Sequence, residues 1–371
     1  MRRAFLLSCL GALTVLAGCG DDAGPDAGLD ASLDAGRDAM APADAGLDAG
    51  PSDGGPSDAA LGRDGGSSEG RFFPPDAWMY QDISAAPLRA DSAATTRWLA
   101  DNGGWGLGRM QIDFSIVVLD ADGSPRRPFM PTGDHFSPDC DRLPVPVPAA
   151  GAVEGEAGYR CEGDGDCHLI VADWAAGELF EMWRANIVGE DFFGGCLAVW
   201  DMTRVYPPEG RGEQCTSADA AGLPIAPLLF YPEEVAAGEI DHAIRFILPN
   251  ARMRAGFYTR PATHAGGPRA EAPAPVYGSR WRLRADFDLD TLPTEGARVV
   301  ARAMQRYGMV LADGGNVALT AASDRFRSTS WDGLLGPRDL DAIEPTDFEV
   351  VDTGPDIELT YDCRRTPLVA P

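Results

Sequence analysis

The chain has 371 residues and a formal net charge of −26. That acidity excludes a partner held through its phosphate backbone, so nucleic acid is not expected, and it disfavours direct binding to anionic lipid headgroups. No lysine occurs, which excludes a Schiff-base lysine and a P-loop lysine.

Residues 1–19 read as an export signal. Arg2 and Arg3 form a charged start, and an apolar run from Phe5 to Leu16 follows. That run is shorter than the ~20 residues a membrane-spanning helix needs. It ends in Leu16-Ala17-Gly18-Cys19, which resembles a bacterial lipobox. This implies lipidation of Cys19 and a lipid-anchored protein of the cell envelope, with its domain outside the cytoplasm. Residues 20–70 repeat Asp-Ala-Gly and carry almost nothing apolar. They are expected to be a disordered tether, because too little surface can be buried to offset the ordering entropy. The formal G-x-S-x-G match at Gly66–Gly70 lies inside this linker, without the strand and helix a nucleophile elbow needs.

The globular part is placed at residues 71–371. Alternating apolar positions from Ile112 to Val118 predict a strand ending at a turn over Ala121–Ser124. His168–Val171 and Leu179–Trp183 read as paired strands across a turn at Ala175–Gly177. Leu197–Trp200 is a further strand. Residues 281–289 alternate strictly and predict a half-exposed antiparallel strand. A helix opens at Pro293-Thr294, carries Val299, Ala303 and Tyr307 on one stripe, and closes at Gly308. Met309–Ala312 and Val317–Thr320 flank Asp313-Gly-Gly-Asn316, the pattern of a hairpin turn. Pro337–Ile343 reads as a short helix, and Phe348–Val351 and Ile357–Tyr361 as strands. The expected class is mainly β, a β-rich α+β domain resembling an antiparallel β-sandwich with a few short helices.

Six cysteines remain after Cys19: Cys140, Cys161, Cys167, Cys196, Cys215 and Cys363. An even number in an exported chain implies three disulfides. Cys161 and Cys167 flank a Gly/Asp turn and suit a hairpin-closing bridge. Cys196 and Cys215 flank the next loop, which would leave Cys140 and Cys363 to tie the ends together. No C-x-x-C pair exists to favour zinc.

The stretch from Cys215 to Phe246 mixes polar, small and apolar residues most closely. Thr216, Ser217 and Asp219 are turn formers. Pro232 starts a short helix with Glu233 and Glu234 in its first turn, and Gly238 ends it. Ile240, His242, Ile244 and Phe246 then alternate with Asp241, Ala243 and Arg245 as in a strand. Thr216–Ile225 (TSADAAGLPI), Tyr231–Phe246 (YPEEVAAGEIDHAIRF) and Arg306–Asn316 (RYGMVLADGGN) resemble segments of an uncharacterised family of secreted bacterial proteins. MYQDIS (Met79–Ser84) and HLIVAD (His168–Asp173) are weaker matches. The resemblance implies a shared fold and export; it supplies no reaction.

Candidate chemistry is sparse. Asp173 and Asp201 end strand-like runs, with Glu178 and Glu181 between them, and carboxylate pairs on neighbouring strands are what glycosidases use. His242 is the best single residue. Arg245 could pair with Glu233, Glu234 or Asp219, and Ser217, His242 and Asp219 can be written as a triad, although triads are recognised by geometry. If Asp173, Asp201, Asp219, His242 and Arg245 are catalytic, they must meet in one pocket. If the chain is a binding module, they scatter and leave aromatic surface, drawn from Trp174, Trp183, Trp200 or Tyr258. No cofactor or metal ligand set is expected. The acidic alternation Glu162, Asp164, Asp166 admits a structural Ca²⁺ but lacks the EF-hand order. The leading expectation is an envelope-anchored binding or structural module, with a polysaccharide as the candidate partner. The alternative is a glycan-acting hydrolase or lyase.

Overall fold

The computed structural model describes residues 71–121, 123–163 and 165–369. The export signal, Cys19, the 20–70 linker and Asp164 lie outside the described residues. Within them the fold is mainly β with a few helices, and three disulfides join its loops.

The larger sheet has six strands in the order Ile112–Ile116, Leu319–Ala322, Ile244–Leu248, Met309–Gly314, Arg280–Leu283 and Phe348–Val351. It is mixed. Ile244–Leu248 runs parallel to Met309–Gly314, while Arg280–Leu283 is antiparallel to both its neighbours. The helix Glu295–Arg306 (α1) lies in the chain between Arg280–Leu283 and Met309–Gly314, two strands that pair antiparallel in this sheet. Thr294 caps α1 by accepting a hydrogen bond from the Ala297 amide at 3.2 Å. Its buried face carries Val299, Val300, Ala303 and Met304.

The second sheet has four strands, ordered Leu197–Asp201, Glu178–Met182, Leu169–Asp173 and Val118–Asp120. Its strand alternation explains its burial. Ile170, Ala172, Leu179, Ala198 and Trp200 join the core shared with the six-stranded sheet. Leu169, Val171, Phe180, Met182, Leu197 and Val199 point the other way into a second core. The run from Ile112 onward therefore serves both sheets: Ile112–Ile116 lies in the first and Val118–Asp120 in the second. Two sheets sharing one apolar core give the domain its sandwich-like character.

Several sequence expectations change. The strand expected over 281–289 ends at Leu283, where a turn at Arg284–Phe287 takes over; the strand is interior rather than half-exposed. His242 precedes its strand instead of lying on it, because regular pairing starts at Ile244. Asp313–Asn316 is not a simple hairpin turn: Ile244–Leu248 lies between the two strands it joins. Residues 337–343 form turns, and the last strand is only Ile357–Glu358. Cys161–Cys167 forms as expected, but the other bridges are Cys140–Cys196 and Cys215–Cys363. The cause is local pairing. Asp141 bridges Leu197, which brings Cys140 beside Cys196, and Glu213 bridges Arg364, which brings Cys215 beside Cys363.

Candidate functional site

Asp173 and Asp201 both lie opposite Glu178, at one end of the second sheet. Their side chains perform local tasks. Asp173 accepts from the Ala176 amide at 3.1 Å, shaping the hairpin turn, and pairs with Arg126 at 3.0 Å. Arg126 also holds Glu178 at 2.7 Å. Asp201 accepts from the amide and hydroxyl of Thr203, bonds that lower its pKa. Glu181 is buried. It binds the Trp200 indole and the amides of Ile225 and Ala226, and so pins the Leu223–Leu229 segment against the second sheet.

The other three candidates lie in the interior. Arg245 donates to Asp219 at 2.7 Å and to the Thr320 hydroxyl at 2.9 Å, and Asp313 sits 3.7 Å from the same guanidinium. Burial raises the pKa of Asp219 and of Asp313, against the pull of Arg245. His242 turns elsewhere, to Glu234 at 3.1 Å and the Ala243 carbonyl at 2.8 Å. Ser217 donates to the carbonyls of Leu223 and Asp219 at 2.8 and 3.1 Å, not to an imidazole. Ser217, His242 and Asp219 therefore form no triad. Of the five candidates only Asp219 and Arg245 are in contact. Glu233 pairs with Arg327 at 2.9 Å and Glu234 with His242, so Asp219 is the partner of Arg245.

That buried pair adjoins a cavity of about 740 Å³, which Asp313 lines. Two stretches singled out in the sequence meet there, Thr216–Ala220 and Asp313-Gly314, beside Asn250, just past Ile244–Leu248. Tyr277, Tyr361 and Trp183 contribute rings, and Asp139, Asp166, His135 and His264 contribute polar groups. Of the aromatics put forward from sequence, Trp183 alone lines this cavity. Trp200 and Tyr258 are buried, and Trp174 packs on Phe72 at 5.0 Å.

The lining carboxylates are held by backbone amides and one indole. Asp313 accepts from the Gly314 amide at 2.7 Å, Asp139 from the Thr216 amide at 2.8 Å, and Asp166 from the Trp183 indole at 2.8 Å. His264 is 9% exposed and lies 2.9 Å through Nδ1 from the Ala220 carbonyl. Burial lowers its pKa, so it stays neutral near pH 7. The Gly266 amide points at the same Nδ1 at 3.2 Å, so that nitrogen faces both a carbonyl acceptor and an N–H donor.

Sequence reasoning missed Asp139, Asp166, Asn250, His264 and Asp313 as a group. Asp313 lay inside a quoted segment, yet its Gly-Gly-Asn context reads as a turn. Among the described residues two groups have metal-like proximity, Asp139 with Cys215 and Cys363, and Glu156 with Cys161 and Cys167. Their sulfurs are engaged in disulfides and offer no thiolate. Across the whole chain, no protein-family model matches, and neither a curated protein nor a solved structure matches it.

Proposed function

We propose that this chain is an exported, lipid-anchored protein of the cell envelope whose folded domain binds a polysaccharide without turning it over. The observation that carries the binding role is the cavity of about 740 Å³ on which the distinctive stretches converge. Sugar recognition uses ring faces for the apolar side of a pyranose and fixed polar groups for its hydroxyls. Trp183, Tyr277 and Tyr361 supply the first, and Asp139, Asp166, Asp313 and Asn250 the second. Scattering of the carboxylates Asp173, Asp201 and Asp219 into turn and ion-pair roles argues against paired-carboxylate hydrolysis.

Export and anchoring rest on residues 1–19 and the lipobox resemblance. No described helix is long and apolar enough to cross a membrane. The lipid on Cys19 would then hold the protein at the membrane, and Cys19→Ala should move it to the soluble fraction. Retention of the alanine variant on washed membranes sinks the anchor.

The binding role is tested by incubating the purified protein with a panel of envelope and environmental polysaccharides. Retention on at least one, with no new reducing ends, is the expected result. Turnover that disappears in Asp173→Ala or Asp201→Ala would restore the hydrolase reading.

A further inference from the structure

We infer that the cavity selects a saccharide bearing a free, protonated amine over neutral or acidic sugars; the inference rests on the glycan-binding role proposed above. The argument is the sign of every fixed group that faces the space. Three carboxylates line it, Asp139, Asp166 and Asp313, and no arginine does among the described residues. The buried guanidinium groups beside it are paired with other carboxylates: Arg245 with Asp219, 3.7 Å from Asp313, and Arg211 and Arg365, which reach the Asp139 carbonyl, with Asp141.

The uncharged groups point the same way. His264 also lines the space; its Nδ1 is held by the Ala220 carbonyl and the Gly266 amide, and its Nε2 has no hydrogen bond among the described residues, although the residue is nine-tenths buried. Asn250 Oδ1 is buried without a partner among the described residues and belongs to the lining. Asp166 and Asp139 each have one oxygen bonded internally, to Trp183 and Thr216, and the other without a hydrogen bond among the described residues.

The cavity therefore sets three carboxylates and no arginine beside the hydroxyls of Ser137, Tyr277 and Tyr361 and the amide of Asn250. An ammonium group brings three donors and one positive charge, the complement of this lining. A uronic or sulfated sugar would meet like charge on entry. A neutral N-acetylated sugar would satisfy acceptors but leave the carboxylates uncompensated. Aromatic rings beside the carboxylates add cation–π attraction for the same ligand. Arg184 already lies 5.2 Å over the Trp183 ring, so Phe136, Tyr277 and Tyr361 are the rings left to provide it.

The test compares glucosamine oligomers, N-acetylglucosamine oligomers of equal length, and oligomers of a uronic acid, by calorimetry on the full-length protein. The glucosamine oligomer should bind roughly tenfold more tightly than its acetylated counterpart at low salt, and the advantage should shrink in high salt. Asp166→Asn lies at the rim and should reduce that advantage roughly tenfold while leaving thermal unfolding unchanged. Asp313→Asn should do the same, and its unfolding curve reports any loss of fold. Equal binding of acetylated and free oligomers, indifferent to salt, overturns the amine selectivity and leaves the glycan role standing. Tighter binding of the uronic oligomer overturns it as well. Equal binding of a simple polyamine such as spermidine shows that no sugar is being read. Binding of no saccharide at all removes the glycan role itself.

Discussion

His168 shows how one residue can be read only with its neighbours. It is fully enclosed, and desolvation alone would push its imidazole down; the Glu154 carboxylate at 2.5 Å outweighs this and raises the pKa to about 9. Nε2 is 3.0 Å from the Ala218 carbonyl, so both ring nitrogens act as donors, as the charged form requires. A folded pKa above the unfolded value of 6.5 means that the stabilisation is fully present below pH 6.5. It is lost as pH rises through about 9. Thermal unfolding of the wild-type protein should therefore fall across that range. Glu154→Gln removes the counter-charge and leaves burial dominant, so the imidazole should titrate below its ordinary value and the decline should vanish. Imidazole NMR of His168 against pH checks the titration directly; a normal pKa in the wild-type protein would refute the pairing. Glu181 acts in a lower window. Burial raises it from 4.5 to about 7, so its folded state favours the protonated form and its contribution fades as pH climbs between those values.

At the scale of elements, what the sequence made legible is what a local pattern can encode. The hairpin of Leu169–Asp173 and Glu178–Met182 follows from two apolar runs and a turn, with Gly177 at φ +70°. The helix Glu295–Arg306 follows from its apolar stripe, its Thr294 cap and Gly308, whose φ of +71° continues no helix. A Cβ at Gly308 would also lie 2.7 Å from the Trp281 carbonyl, so the helix end must approach the sheet closely. The helix Ser92–Asp101 was not legible, because its buried face is Ser92, Thr95, Thr96 and Leu99 and carries no apolar stripe. Alternation over residues 281–289 misled for the opposite reason: period two survives past Leu283, but pairing partners do not. The cavity was least legible. Its lining comes from loops far apart in the chain, joined by sheet order and disulfide pairing, and neither leaves a period in the sequence. The segments that meet there stood out as strings, while their chemistry emerged only once Asp313, His264 and Asn250 shared one space.

Across the whole molecule the disulfides decide how firmly that space is held. They close loops of very different length, with sequence separations of 6, 56 and 148. The chain-entropy argument assigns about 2 kcal/mol to the shortest loop and about 5 kcal/mol to the longest, because longer loops lose more freedom in the unfolded chain. The Cys215–Cys363 bridge is reinforced by Asp141. This fully buried carboxylate binds Arg211 and Arg365 at 2.6 Å each and accepts from the Leu368 amide at 2.8 Å. Together they fasten the C-terminal segment to the second sheet, where Asp141 also accepts from the Val199 amide. The same bridge adjoins the cavity: Thr216 follows Cys215, Tyr361 stands two residues before Cys363, and both line the space. Stability and binding should therefore fall together when it is removed. Replacing Cys215 and Cys363 by alanine should lower the unfolding free energy by several kcal/mol and weaken ligand retention. The same replacement at Cys161 and Cys167 should cost about 2 kcal/mol and weaken retention less, since that short loop brings only Asp166, beside Cys167, to the cavity. Denaturant unfolding of the two variants, paired with the saccharide-binding measurement, gives the comparison. A larger loss for the Cys161–Cys167 variant would mean that the long bridge constrains a chain end already held by Asp141 and its two arginines, and that the cavity keeps its shape without it.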